Sequence, residues 1–417
     1  MGKHRTQGLK CGFRSGSLAL LAGLLAVSLC MMPLASAEAK DIKVGIIDCY
    51  SGPPAVYAED ALNGFKLALE EINKEGVLGG KITWTNRDTK FKVDIALNMA
   101  KELVMREGVD LLVGTINSGA AMAVSTAVAR KNKVPFFAWI SKSDRITGEK
   151  GHRYVFQTGE NSAMAGKSGA VALSKKPYIK YWIGGDDYEY GHSIANAAWR
   201  NLKAMKPEVE MIGKSWWKPG EPDLAPYITS IMSADPDCVI FCTGGKSMTN
   251  VMKAIKATGM AEKFPIWIHT GTDHAVLKPL GKDAPEGVMG TMDYHFYYPE
   301  TPEHKAFVDK FREAYGEPPG FPAFHGYITA HFIAKAYRKA GAKDTEKFID
   351  AIEGLTIESP VGRLEMRACD HQVKLPMYLG VTKMSEEYGV AISSDIQTLT
   401  GDEILPTCEE IQKAREK

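Results

Sequence analysis

VDLLVGTINSGAAMAVSTAVARKNKVPFF, residues 109–137, holds an apolar run, a Gly114-Thr115 break, a polar Asn117-Ser118-Gly119 step, a run of small residues and Pro135 before a second apolar run. That order reads as strand, loop, helix, strand. A serine at a helix start is most often an N-cap, whose oxygen satisfies a free N–H of the first turn. The same N–H groups and the helix dipole also make the position a seat for a carboxylate or phosphate. PDCVIFCTGGKSMTNVMKAIKATGMAEKFPIWI, residues 236–268, repeats the arrangement, with a Gly/Thr loop, a serine, a helix, then proline and a strand. Two similar α/β series are therefore expected, each presenting loops at the carboxyl ends of its strands, where open α/β sheets bind ligands.

Outward from these two stretches the alternation continues. KVGIIDCY (43–50) reads as a buried strand, and the helix after it places Leu62, Phe65, Leu69 and Ile72 on one face. KITWTNRD belongs to the first series; RYVFQTG (153–159), YIKYWIGG, EMIGKSWW and PIWIHTG belong to the second. The βαβα rhythm predicts parallel sheets covered by helices on both faces. After residue 300 the chain turns strongly helical and then closes with the strands VGRLEMR and KLPMYLGVTKM and the polar helix EEIQKAREK. A return to the first series fits this order, and so does an addition at a sheet edge without recrossing.

The amino terminus has a different character. Lys3, Arg5, Lys10 and Arg14 precede the apolar SLALLAGLLAVSLCMM (17–32), and Ala-Ser-Ala (35–37) places small residues at a cleavage site, so residues 1–37 read as a secretory signal peptide. Cys30 would be a candidate for lipid attachment, but Leu29 stands where a small residue would be expected, which favours soluble release. Loss of four Lys/Arg, with no Asp/Glu to offset them, takes the formal charge from +1 to −3. No later stretch approaches the roughly 18 apolar residues of a membrane span, and no basic tract argues for nucleic acid. Five cysteines remain after cleavage. Cys238 and Cys242 lie too far apart along one strand to bond to each other, so Cys369 with Cys408 is the expected bridge of an oxidising compartment.

Catalytic and cofactor signatures are near misses. NSAMAGKS (161–168) and IFCTGGKS (240–247) end like phosphate loops, yet Asn161 and Ile240 replace the first glycine the tight turn needs. Both are expected to be ordinary helix starts. No zinc-binding His-Glu-x-x-His and no Gly-x-Ser-x-Gly elbow occurs. Asp186-Asp187 reads as loop solvation, and DYHFYY (293–298) as a strand edge or helix-packing surface. Neither enzyme, metal nor cofactor is expected.

The opening IKVGIIDCYSGPPAVYAEDALNGFKLALEEINKEGVLGGK resembles that of periplasmic solute-binding proteins of the leucine/isoleucine/valine-binding type. The Ser51-Gly52-Pro53 turn, Tyr57, Gly64 and Gly-Gly-Lys before the second strand carry it, and it continues through DLLVGTINSGAAMAVS, Tyr190-Gly191, DCVIFCTGG and APEGVMG. The resemblance implies the type I periplasmic-binding-protein fold: α/β, two Rossmann-like doubly wound lobes joined by a three-strand hinge. The lobes project to 40–158 plus 292–365 and 159–291 plus 366–417. It also implies a periplasmic monomer that closes on a small ligand and is recognised by an ABC permease of the inner membrane.

Residue by residue, the resemblance puts Ser118, with Gly119 beside it, on a ligand carboxylate, and has Ile140, next to Ser141, offer backbone groups. Tyr190 would cover the ligand, while Tyr57 and Ile116 would line its side-chain pocket. The departures carry more information. Lys142 stands where the family offers a threonine hydroxyl, and Gly244 replaces a tyrosine. The family's ammonium-pairing glutamate has no clear counterpart; His269, Thr270 or Gly271 falls near it, with Asp273 the closest acid. An ammonium without a carboxylate partner is costly to bury, whereas a carboxylate would gain a charge-assisted partner in Lys142. An organic acid is therefore expected, with room beside Gly244 for an aromatic body near Trp139, Tyr190 and Trp267. The alternative is a branched-chain amino acid, with Lys142 turned to solvent or paired with Asp144 or Glu160 and the ammonium on Asp273. A ligand sensor built on the same clamp is a further reading.

Overall fold

The computed structural model describes residues 41–416 apart from Pro53; the signal segment and Pro53 of the Ser51-Gly52-Pro53 turn lie outside these residues. Two sheets organise the chain. The first holds β1 (Ile42–Asp48), β2 (Ile82–Asp88), β3 (Leu111–Gly114), β4 (Phe136–Ala138) and β5 (Val155–Gln157), all parallel, in the order β2-β1-β3-β4-β5; RYVFQTG, expected to open the second series, supplies β5 here because it pairs with β4. The second contains β6 (Lys180–Asp186), β7 (Glu210–Trp217), β8 (Cys238–Cys242), β9 (Ile266–His269) and β10 (Met289–Met292). To these it adds β13 (Met377–Met384) and β14 (Ala391–Leu399), in the order β14-β13-β10-β9-β8-β6-β7. This sheet is not wholly parallel: β13 and β14 pair antiparallel at its edge. A hairpin of β11 (Thr356–Ser359) and β12 (Gly362–Glu365) stands apart.

Both orders reverse once, between β1 and β3 and between β6 and β8. Such switch points leave a crevice beyond the strands' carboxyl ends, here after Asp48 and Gly114 in one lobe and after Asp186 and Cys242 in the other.

In the opening stretch, Gly114 has φ +138°, and a Cβ there would sit 1.9 Å from the Ile47 carbonyl oxygen, so no other residue fits. The helix begins at Ser118 (α3, Ser118–Val124) and runs on through a π turn (Ser125–Ala129) to Asn132. Its cap is Asn117, whose side chain accepts from Ala120 N, and not Ser118. The two phosphate-loop lookalikes are helix starts: Asn161 caps α4 (Ser162–Ser174), and Gly244 precedes α7 (Gly245–Thr258). Between them run α5 (Glu189–Met205) and α6 (Ala225–Ala234).

The late helices α9 (Pro302–Tyr315), α10 (Phe321–Ala340) and α11 (Thr345–Ile352) decide between the two readings of the carboxyl-terminal third. α10 lies against α1 (Ala55–Glu75) so closely that a Cβ on Gly64 would meet the Ala323 oxygen at 1.8 Å, and one on Gly326 the Ala61 oxygen at 1.9 Å. Gly320 and Ala323 donate to Asp60, and Tyr327 to Glu71. The chain therefore returns to the first sheet's helices after β10 and crosses again before β13. Gln157 and Gln372 pair side by side at the crossings, and the Gln372 side chain donates to Gly159 O.

Cys369, on the last crossing, is bonded to Cys408 at the start of α12 (Cys408–Arg415), with Cα atoms 5.8 Å apart. Arg415 at the far end of α12 donates to Thr147 O and Gly148 O of the first lobe.

Candidate functional site

A cavity of about 390 Å³ occupies the seam between the lobes. Its wall includes the aromatic rings of Tyr57, Phe91, Tyr188, Tyr190 and Phe321, together with Ile116 and Ile140. Around them stand Lys90, Lys92, Lys142 and Lys246, with Asp186 the single acid of the wall. The elements explain the membership. Ile116 and Ile140 follow β3 and β4, Tyr57 opens α1, Tyr188 and Tyr190 open α5, and Gly244 to Ser247 form the start of α7.

Of the residues singled out in the sequence, Tyr57, Ile116, Ile140, Lys142, Tyr190, Gly244 and Thr270 line the cavity; Ser118, Gly119, Ser141, His269 and Asp273 do not. Ser118 is fully buried, and its hydroxyl accepts from Lys142 N (3.2 Å) and Ser143 N (3.4 Å). It braces the loop that carries Lys142. Ser141 donates to Thr115 O. Gly119 packs beside the Asn117 cap. Gly244 leaves a Cβ's place 3.5 Å from the Tyr190 hydroxyl, which itself donates to Thr243 O (3.2 Å) and meets His269 Nδ1 at 2.9 Å.

Three expectations need correction. Trp139 and Trp267 are fully buried outside the cavity: Trp139 donates to Asp48, and Trp267 packs over Gly169. The aromatic wall comes instead from Phe91, Tyr188 and Phe321, with Tyr57 and Tyr190. Asp186 is no solvated loop acid. It is buried at the end of β6 and accepts from Trp217 Nε1 (3.1 Å), Thr243 Oγ1 (3.0 Å) and Gly244 N (3.3 Å). Of the two readings of DYHFYY, the sheet edge fails and the helix-packing surface holds: it forms the second crossing, its Tyr294 ring lies on Phe324, and its Asp293 is buried on His325, 2.5 Å away.

Lys142 is buried and paired with Glu160, itself fully buried on the first crossing; its ammonium also lies 4.5 Å from the Phe321 ring centroid. Beyond the pair lie His269 (3.5 Å from Glu160), His325 (3.4 Å) and Asp293. Desolvation holds both histidines neutral, with His325 lowered to about 3, and raises Asp293 above the usual carboxylate range. Glu160, Asp293 and His325 bring donor atoms within 4.8 Å of one another, the spacing of a cation site, but the Lys142 ammonium already supplies the positive charge there. Glu160 was visible in sequence only as one of two possible lysine partners.

Asp273 is buried behind the wall. Its Oδ2 accepts from the Tyr57 hydroxyl at 2.5 Å and its Oδ1 from Ala275 N at 3.1 Å. Desolvation pushes it up to about 6, against the lowering effect of the Tyr57 bond, and burial does the same to Asp186.

The periplasmic binding protein family profile matches residues 41–386. The chain belongs to the periplasmic binding protein family. This binding protein is 25% identical over 334 residues to a leucine-, isoleucine-, valine-, threonine- and alanine-binding protein of Pseudomonas aeruginosa, covering 79% of this chain and 86% of that one. Among solved structures it resembles a solute-binding protein of an ABC transporter from Rhodopseudomonas palustris BisB5 in complex with 3,4-dihydroxybenzoic acid. That likeness has a TM-score of 0.79 at 22% identity and covers 87% of this chain and 98% of that one. It also resembles an ABC-type branched-chain amino acid transporter protein from Rhodopseudomonas palustris CGA009, with a TM-score of 0.71 at 26% identity, covering 88% and 99%. The two-lobed α/β fold with a cavity in its seam is that of a solute-binding protein. Members of the family are periplasmic, bind small molecules and work with ABC permeases. No helix among the described residues of this binding protein is long and apolar enough to cross a membrane.

Proposed function

We propose that this binding protein, exported by its signal segment and acting as a monomer without catalysis, captures an aromatic carboxylate between its lobes and presents the closed form to an ABC permease. One observation carries the reading: the cavity is walled by aromatic rings and lysines, and each nearby acid is already engaged. Asp186 accepts from three donors, Glu160 holds Lys142, and Asp273 holds Tyr57. An ammonium would find no free carboxylate and would sit near Lys142, a costly placement for a buried charge. A flat anion would find rings to lie against and Lys142, Lys90, Lys92 and Lys246 to face its charge. The relative crystallised with 3,4-dihydroxybenzoic acid supports this ligand class. Sheet membership, together with the packing of α10 on α1, supports lobes of 40–158 with 292–365 and 159–291 with 366–417, and closure needs ligand contacts from both. Tyr57, Ile116, Ile140 and Lys142 would supply them from the first lobe, and Tyr190, Gly244 and Thr270 from the second.

The test is thermal unfolding of refolded, ligand-free protein with benzoate, 4-hydroxybenzoate, benzamide, leucine, isoleucine and valine. A ligand at 100 times its dissociation constant adds about 2.7 kcal/mol and raises the melting temperature by a few degrees. The aromatic carboxylates are expected to stabilise, and benzamide and the amino acids are not. Stabilisation by leucine alone would retire the acid reading and leave the transport role standing.

The pH dependence has a definite sign. Asp273 and Asp186, both with pKa values pushed up to about 6, are mostly neutral at pH 5 and ionised at pH 7.5. An anionic ligand meets more negative charge at the higher pH and takes up protons on binding. Its dissociation constant should rise between pH 5 and 7.5, about tenfold if it lifts either pKa by one unit. Calorimetry in buffers of different ionisation heat reads the proton uptake directly. A zwitterion held through its ammonium would give the opposite slope.

A further inference from the structure

The three acids at the seam differ in what holds them. Asp186 is held by an indole, a hydroxyl and a backbone N–H, and Glu160 by a lysine. Asp273 is held by the hydroxyl of a wall residue that belongs to the opposite lobe. Tyr57 belongs to α1 of the first lobe, and Asp273 follows β9 in the second, 216 residues away, so their bond spans the seam. Asp273 lies just behind the wall, since its N–H donates to the carbonyl of the lining residue Thr270. The Tyr57 ring is fixed against Phe321, centroids 5.3 Å apart, and Phe321 in turn carries the Lys142 ammonium over its face.

We propose that Tyr57 determines the ligand class of this cavity: its hydroxyl, bonded across the seam to Asp273 just behind the wall, keeps that acid from a ligand ammonium and so reserves the site for carboxylates that carry none. The proposal rests on the carboxylate reading above and gives it a cause in one hydroxyl group. An ammonium approaching Asp273 Oδ2 meets the Tyr57 hydroxyl and ring in its way, and displacing that hydroxyl would leave it unpaired in a buried place. Removing the hydroxyl frees Asp273 Oδ2 toward the cavity, and removing the ring opens the way to it.

The experiment measures dissociation constants by calorimetry for two matched pairs, 3-phenylpropionate with phenylalanine and 4-methylpentanoate with leucine. Each pair differs by one ammonium group. The proteins are the wild type, Tyr57→Phe, Tyr57→Ala and Tyr57→Ala/Asp273→Asn. Both single variants are expected to shift the preference toward the amino acid at least tenfold, and Asp273→Asn to abolish the shift. Two single variants remain informative if one of them fails to fold. A Tyr57 variant that gains no affinity for either amino acid overturns the proposal, whatever the wild type binds. A gain that survives Asp273→Asn also overturns it, because the added room would then be the cause. The wild-type ratio tests the carboxylate reading separately: a preference for the amino acids there would defeat that reading before any variant is compared.

Discussion

Replacing Lys142 by methionine is expected to lower the stability of the ligand-free protein by about 3–5 kcal/mol, the range for breaking a buried ion pair from one side. Lys142 and Glu160 are 5% and 0% exposed in their side chains, and among the described residues no other lysine or arginine pairs with the cluster they belong to. Without the ammonium, Glu160 is left as an uncompensated buried group beside Asp293 and near Asp273, two carboxyls already raised by burial. Glu160→Gln should cost less. There the ammonium persists, with the already ionised Asp273 nearby and Asp293 free to ionise and balance it. The double variant, which removes both charges, is expected to recover most of the loss. Urea unfolding at pH 7 gives the order Lys142→Met below Glu160→Gln, with the double variant closest to wild type. Equal losses for the two single variants would show that the surrounding acids do not sense the lysine.

Ligand binding should separate the same variants differently. A charge-assisted hydrogen bond contributes about 1.5–3 kcal/mol, so Lys142→Met is expected to weaken an aromatic carboxylate by roughly 10–100-fold. Glu160→Gln leaves the cation in place and removes its competitor, so affinity should hold or rise. A Lys142→Met protein that binds the carboxylate undiminished would move the anion's seat to Lys90, Lys92 or Lys246.

Loss of the Cys369–Cys408 bond carries the second large effect. The cysteines are 39 residues apart in sequence, and closing a loop of that length removes enough disorder from the unfolded chain to stabilise the fold by ~4 kcal/mol. The bond pins the start of α12 to the last crossing, where Arg367 is paired with buried Asp370 and donates to Pro406 O. At its far end Arg415 holds the carbonyls of Thr147, Gly148 and Cys369. Cys369→Ser/Cys408→Ser should lower the melting temperature by several degrees. It should also speed hydrogen exchange in 401–416, with the two sheets unaffected. Arg415→Ala, which removes hydrogen bonds but not the covalent loop, should show the same exchange pattern with a smaller shift in melting temperature. Among the described residues the remaining cysteines, Cys49, Cys238 and Cys242, are buried and unpaired, so for this part of the chain reductant should reproduce the double serine variant and nothing more.

What the sequence determined by itself is local. Spacing of Leu62, Phe65, Leu69 and Ile72 marks α1, apolar runs ending in glycine mark β3 and β8, and the two strand–loop–helix–strand stretches place the crevices, because these patterns depend only on neighbours within a turn or a strand. The pairing of Cys369 with Cys408 could be proposed from their place in the C-terminal tail of an exported chain, though the spacing left other pairings open. The return of the late helices to α1 could not be decided that way, since it depends on Gly64 and Gly326 letting two helices meet 262 residues apart. Only the tertiary structure decided which groups at the site are free. Strand register buried Trp139 and Trp267 and left the rings of Phe91, Tyr188 and Phe321 to the wall. The crossings brought Glu160 to Lys142 and Asp273 to the Tyr57 hydroxyl. A side chain's charge and size are written in the sequence, but whether its donors and acceptors are spent depends on partners that only the folded chain brings within 3 Å.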